Sequence, residues 1–265
     1  YGGKPLSVVL EKYRWQNISS TLAAISIAIG LLAYFILRPS NDNNKSDSAT
    51  PLKLADIKSI LFSKELWLVA ISNLLMVGAL EGFADVWGVS YLIEAYNFTK
   101  ANAAGLTSLV FFGMLFGGPL LAFSSKKFGN YYVISFCAFA ITLSLSLILL
   151  NISNNVVWLS ALFFIIGLMC CYQVLIFAVG ENLVELKNLG ICVAFLNSVN
   201  MMGGCFFHTI IGKIMNIFWT GKVNELGVKL YDLQTYQYAL AIVPLCAFVG
   251  GVIIALVNFL GKKKL

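Results

Sequence analysis

Apolar runs of about twenty residues recur along the chain with hardly a charge inside them, and that feature leaves few folds open. They fall at 19–37, 66–96, 103–123, 131–150, 156–179, 189–212 and 238–260. At 1.5 Å per residue each is long enough to cross a hydrocarbon core of about 30 Å as a helix. A membrane β-barrel would need segments of ~10 residues alternating apolar and polar, whereas Leu143 to Leu150 and Ala161 to Met169 are apolar on nearly every side. A soluble domain carries about 25% charged residues; here 11% are charged and 59% hydrophobic. The expected fold is an all-α, polytopic membrane protein with seven transmembrane helices.

The six cysteines, Cys137, Cys170, Cys171, Cys192, Cys205 and Cys246, all fall inside apolar runs and lack the His/Cys spacing of a zinc site. They read as small core residues, and neither a metal nor a cofactor is expected. The net charge of +6 comes from lysines between the runs, so it bears on orientation and gives no case for nucleic acid. Loops 38–65, 124–130, 180–188 and 261–265 hold 11 Lys and Arg against 7 in the opposite set. The positive-inside rule then puts the C-terminal Lys262-Lys263-Lys264 in the cytoplasm. Trp15, Trp67, Trp158 and Trp219 lie near run ends, where aromatic belts form; Trp87 lies well inside its run. The opening Tyr1-Gly2-Gly3-Lys4 has neither an initiator Met nor a secretory signal, and the chain reads as a piece of something longer.

The expected organisation is 1–37 as the end of one helix bundle, 38–65 as a cytoplasmic linker, 66–260 as a six-helix bundle and 261–265 as a cytoplasmic tail. Pro39-Ser40-Asn41-Asp42-Asn43-Asn44-Lys45-Ser46-Asp47 gives the linker its turn and disorder composition. The connection 213–236 is amphipathic and bears aromatics, which suits an interfacial helix over part of its length.

Run 66–96 would make a straight helix of ~46 Å, more than the core requires, so it must tilt, bend or protrude. Gly78, Gly82 and Gly88 offer places to bend. Near its middle stand Glu81 and Asp85, one helical turn apart and about 40° apart around the axis, with Asn73 on the same side. An ionisable group at that depth costs ~2.5–3.5 kcal/mol and should face the bundle interior or a watery cavity. Such a group suits proton uptake and release. The competing reading ends the apolar stretch near Leu80 and leaves both acids close to a surface.

Asn197, Asn200 and His208 share run 189–212, Asn197 and His208 on one stripe. His208 is the only histidine, able to titrate near neutral pH or to satisfy a neighbouring helix. Tyr172 and Gln173 lie just past the middle of run 156–179, where a polar pocket would suit them, and Glu181 lies at its end as a helix-end or gate ion-pair partner. The glycine pairs Gly113/Gly117, Gly203-Gly204 and Gly250-Gly251 permit close helix approach. The only arginines, Arg14 and Arg38, stand at run ends and no lysine lies within a run. Carriers of multiply charged anions need a fixed cation, so the pattern favours a neutral, zwitterionic or cationic solute. No HExxH, no paired intramembrane Asp on separate runs and no Ser/His dyad motif supports an intramembrane enzyme, and the protein is not expected to be one.

Gly117-Gly118-Pro119-Leu120-Leu121-Ala122-Phe123-Ser124-Ser125-Lys126-Lys127-Phe128-Gly129 resembles the loop motif of the major facilitator superfamily between the second and third helices of a half. The usual Asp is Ser125; Lys126 and Gly129 match. Gly180-Glu181-Asn182 through Gly190, Phe195-Leu196-Asn197, Gly203-Gly204 and Phe207-His208-Thr209-Ile210-Ile211-Gly212 resemble the tenth-to-eleventh helix pattern, with His208 where many bacterial members have Gln. Pro5-Leu6 through Arg14-Trp15 is similar to the exit from the fifth helix. The resemblance implies a partial major facilitator fold: the end of the fifth helix, the sixth helix and the C-terminal six-helix half.

It further implies alternating access, with run 66–96 as a cavity wall. Trp87 and Tyr91 would then face solute, and Ser125, Lys126, Gly129 and Glu181 would belong to the gating loops. Phe83-Ala84-Asp85-Val86-Trp87-Gly88-Val89-Ser90-Tyr91-Leu92 looks like a branch that includes nutrient carriers of intracellular bacteria and lysosomal dipeptide carriers. The expected function is secondary active transport of a small organic solute such as an amino acid or dipeptide, with protons as candidate coupling ions and Glu81 or Asp85 as their carriers. The expected partners are that solute, the lipid bilayer and an N-terminal half of the same protein; the expected location is a bacterial inner membrane. The alternative is a non-transporting membrane scaffold or an inactive fragment of a transporter.

Overall fold

The computed structural model describes residues 15–36, 54–223, 227 and 229–262. It divides into two units, one ending at Leu52 and one beginning at Lys53. The first contributes a single described helix, α1 (Trp15–Ile36), whose 22 residues carry no acidic residue in the first turn and no basic residue in the last. The sixth-helix expectation falls here; residues 1–14, the linker through residue 53 and the tail 263–265 lie outside the described residues.

The second unit contains α2 (Leu54–Leu61), α3 (Lys64–Met76), a π-helical segment (Ala79–Trp87), α4 (Gly88–Tyr96), α5 (Lys100–Phe128), α6 (Asn130–Leu149), α7 (Val156–Cys170), α8 (Tyr172–Glu181), α9 (Leu189–Ile217), α10 (Leu233–Leu240) and α11 (Ile242–Lys262). Grouped into continuous rods, and with α1, these give seven helices long and apolar enough to cross a membrane, the longest Lys64–Tyr96. Polar side chains set the boundaries. Ser63 Oγ accepts from the Leu66 N–H, Thr99 Oγ1 from Asn102, Asn155 Oδ1 from Val157 and Asp232 Oδ1 from Thr235, each occupying a donor that a helix start leaves unsatisfied. Gly129 separates α5 from α6 at φ +87°, a conformation glycine adopts without a Cβ penalty.

Helices meet where side chains are absent. A Cβ on Gly113 would strike the backbone of α7 and one on Gly167 the backbone at Val110; Cys171 Sγ, donating to the Met114 carbonyl at 3.1 Å, fills the space beside Gly117. Gly250 rests on Met76 and Ser72, and Gly251 on Ala138, with the Ser135 hydroxyl donating to the Gly251 carbonyl at 3.3 Å. Between lipid and protein there is little hydrophobic difference to drive association, so such backbone approach supplies the packing. Five of the six cysteines are buried and Cys205 is exposed.

One expectation is corrected. Connection 213–236 holds no interfacial helix among its described residues. α9 runs on to Ile217 and α10 starts at Leu233, with an isolated antiparallel bridge from Val223 to Lys229 between them. The Asp232 cap and the packing of Tyr236, Ala239 and Leu240 tie the end of the connection into the core, and Lys229 Nζ stands 4.5 Å from the Trp219 ring centroid. Residues 54–61 of the expected linker are helical, and Asp56 in α2 reaches Lys187 at 3.6 Å.

Candidate functional site

The centre of rod Lys64–Tyr96 departs from α-geometry. Ala79–Trp87 is π-helical, closing with a bond from the Gly88 N–H to the Phe83 carbonyl; a Cβ at Gly88 would stand 2.8 Å from that oxygen. Widened turns of this kind are rare and concentrate at functional positions. Three weak helix formers make room for it. Gly78 and Gly82 face Phe207 of α9: a Cβ at Gly78 would strike the ring, and one at Gly82 would stand 3.0 Å from Phe207 Cβ. The extra length of the rod is thus absorbed in a widened coil pressed on α9.

That contact sets out the polar groups. Gly203 of α9 faces Val77, and one residue on, a Cβ at Gly204 would lie 3.2 Å from Glu81 Oε2 and 3.9 Å from His208 Nε2. Glu81 and His208 therefore flank the bare backbone of Gly204. Asp85 is exposed and interacts electrostatically with both. On the same two helices, buried polar atoms have no hydrogen-bond partner among the described residues: His208 Nδ1, Trp87 Nε1, Asn200 Oδ1 and both side-chain atoms of Asn73. Asn73 is 0% exposed and Asn200 3%. An unsatisfied buried polar group costs about 1–3 kcal/mol, so this many on two facing helices marks a place built for water or a polar ligand. The contacts Trp67–Phe195 and Val77–Gly203 put Asn73 and Asn200 on the same stretch of the α3–α9 interface.

The other residues singled out from sequence are not all brought to this place. Tyr91 is fully buried, its hydroxyl donating to the Ile148 and Leu149 carbonyls at 3.1 Å each. Tyr96 donates to Ile148 at 2.7 Å and the Gln237 amide to Leu149 at 2.8 Å. Three side chains from α4 and α10 thus cover the carbonyls that end α6, a fastening nothing in the local sequence announces. Tyr172 is also fully buried and donates to the Asn73 carbonyl at 3.3 Å, so it braces the interface from behind. Gln173 is half-buried beside it, and Asn197 is exposed, three residues from Asn200 and turned off its face.

At the ends of the rods, Ser125 Oγ donates to the Ala122 carbonyl at 3.0 Å within its own helix, and Lys126 is exposed. Glu181 is exposed and in no ion pair among the described residues; Lys187 makes those contacts, with Glu185 at 2.9 Å and Asp56 at 3.6 Å. Sequence reading missed this pair because Asp56 sits in a stretch read as linker. Among the described residues no three His, Cys, Asp or Glu side chains converge as a metal-holding group.

The sequence profile of the Major Facilitator Superfamily matches residues 5–208. The chain belongs to the major facilitator superfamily. Within that superfamily it is 25% identical over 211 residues to the lysosomal dipeptide transporter MFSD1 of Danio rerio, covering 76% of this chain and 44% of the relative. Its fold is similar to that of the proton:xylose symporter XylE, solved with 6-bromo-6-deoxy-D-glucose, at a TM-score of 0.58 and 16% identity, covering 75% of this chain and 45% of that one. The chain spans less than half the length of either. A major facilitator fold, an integral multi-pass membrane protein and a family of transporters are what these likenesses and the seven apolar helices establish.

Proposed function

We propose that this major facilitator protein is a secondary active transporter that moves a small organic solute, an amino acid or dipeptide, by alternating access, and that Glu81 with Asp85 exchanges the coupling proton. The observation that carries the reading is the π-helical stretch in the middle of a membrane-spanning rod, which sets Glu81 beside Gly204 and the only histidine, with Asp85 four residues on in the same stretch and polar atoms on the same two helices that are unpartnered among the described residues. Ionisable groups held within a span mark ion and substrate pathways, and neighbouring carboxylates share protons as a coupled pair. The dipeptide chemistry is that of the fish relative, and proton symport that of the fold neighbour.

In this reading Asn73 and Asn200 offer hydrogen bonds to the solute and Trp87 an aromatic wall for its ammonium group. Lys126, Gly129 and Glu181 belong to the gating loops, the C-terminus is cytoplasmic and the membrane is a bacterial inner membrane. Residues 66–260 act as one six-helix half beside an N-terminal half of the same protein.

The test is uptake of labelled amino acids and dipeptides into proteoliposomes under two imposed pH gradients. Gradient-driven accumulation is expected, lost in Glu81→Gln at unchanged protein level. Unchanged pH-dependent uptake in that variant would remove Glu81 from the mechanism.

A further inference from the structure

A cavity of about 730 Å³ opens between the end of α5 and the start of α6, far from Glu81 in the sequence and floored by Met169 of α7. That volume is within the range of organic-ligand sites. Its walls are apolar: Leu120, Leu121, Val133 and Phe136. Phe128 and Phe136 are largely exposed, at 59% and 63%, so the groove is open along its flank. From Lys127 at the mouth to Leu120 it runs ~10 Å along the helix axis, into the span and away from the polar end.

The mouth is cationic. Lys127 lines it, with Nζ 5.2 Å from the Phe128 ring centroid, and Lys126 precedes it on the same last turn. Neither lysine is ion-paired to a carboxylate among the described residues. An apolar slot inside a membrane span with Lys127 lining its polar end and Lys126 next to it in the chain, neither in a salt bridge among the described residues, is complementary to one class of molecule, an acyl chain joined to a negatively charged head. Basic pockets between transmembrane helices take anionic headgroups for this reason.

We propose that this groove is a binding site for an anionic phospholipid, one acyl chain lying between α5 and α6 and the headgroup phosphate held by Lys127 and Lys126. A zwitterionic lipid would fill the slot equally well but gain less at the lysines, so charge selectivity is the signature. The site is independent of the transport reading and stands or falls without it.

The test is native mass spectrometry of the purified protein in neutral detergent, titrated with phosphatidylglycerol or phosphatidylcholine of matched chains. Phosphatidylglycerol is expected to bind tighter, and Lys126→Gln with Lys127→Gln to weaken it by roughly fivefold per lysine removed while phosphatidylcholine binding is unchanged. Ser124→Phe, which narrows the mouth, is expected to weaken both lipids, and Lys100→Gln at the far end of α5 neither. Lys127→Arg is expected to keep the selectivity, which separates a charge effect from misfolding. Equal binding of the two lipids by the unaltered protein, or selectivity that survives the double lysine change, would overturn the proposal. So would occupation of the groove by a second copy of the chain, seen as a dimer that excludes lipid.

Discussion

Glu81 lies against Gly204: a methyl group at Gly204 would stand 3.2 Å from the Glu81 carboxylate oxygen and 3.9 Å from His208 Nε2. That spacing is tight without being prohibitive, so the carboxylate must give by a few tenths of an ångström. Gly204→Ala is therefore expected to fold normally, yet to change the pH dependence of uptake and to cut its rate roughly fivefold, the equivalent of about 1 kcal/mol. Gly212→Ala on the same helix, with nothing within 4 Å, is the control and should leave uptake unchanged. Indistinguishable pH profiles for the two variants would detach Gly204 from the carboxylate's behaviour.

The α5–α7 contact should be the most intolerant of added volume. Gly167→Ala places a methyl on the Val110 backbone and Gly113→Ala one on the backbone of α7, where neither partner is a flexible side-chain end. Overpacking of this kind costs about 1–3 kcal/mol, to be read as a lowered midpoint of thermal unfolding in detergent. Gly118→Ala, one residue from the packed Gly117 but facing open space, should be neutral or slightly stabilising through its better helix propensity.

Tyr91→Phe removes a buried donor from the carbonyls of Ile148 and Leu149, but Tyr96 and Gln237 still reach them. The single change should cost about 1 kcal/mol. Tyr91→Phe combined with Tyr96→Phe should cost more than the sum of the two singles, because only then does Ile148 lose every side-chain donor. Additive losses in thermal unfolding would mean the two hydroxyls act independently.

Asp232 lies outside the spans, and the hydrogen bonds from the Thr235 side chain and then its backbone N–H hold the carboxyl below its usual value. A carboxyl lowered on folding contributes stability that is present above the ordinary Asp pKa of about 3.9 and lost as the pH falls through the folded value. Asp232→Ala should accordingly lower stability by about 1 kcal/mol at neutral pH, with the gap between variant and parent narrowing below about pH 4. A gap that stays constant down to about pH 2 would show that the cap owes nothing to its charge.

Sequence alone was enough for the membrane class, the seven spans and the family motifs, because each is a property of a continuous stretch: about twenty apolar residues suffice to cross a bilayer wherever they occur. Gly113, Gly117, Gly203 and Gly250 could likewise be read as contact positions, since a missing side chain permits close approach whatever the partner. What they touch could not be read. Tyr91 and Tyr172 looked like pocket walls because a tyrosine inside a span needs a partner, and only the tertiary structure decided that those partners are the carbonyls of Ile148, Leu149 and Asn73.

The same holds for Lys187, which meets Asp56 across more than a hundred residues of chain. The glycines at the π-helical stretch Ala79–Trp87 could be read as places to bend, but not that Gly78 and Gly82 meet Phe207, a helix-to-helix contact that local propensity does not encode. Span and composition are fixed residue by residue along the chain. The meeting of Glu81 with His208 at Gly204 required two helices, distant in sequence, to find one register.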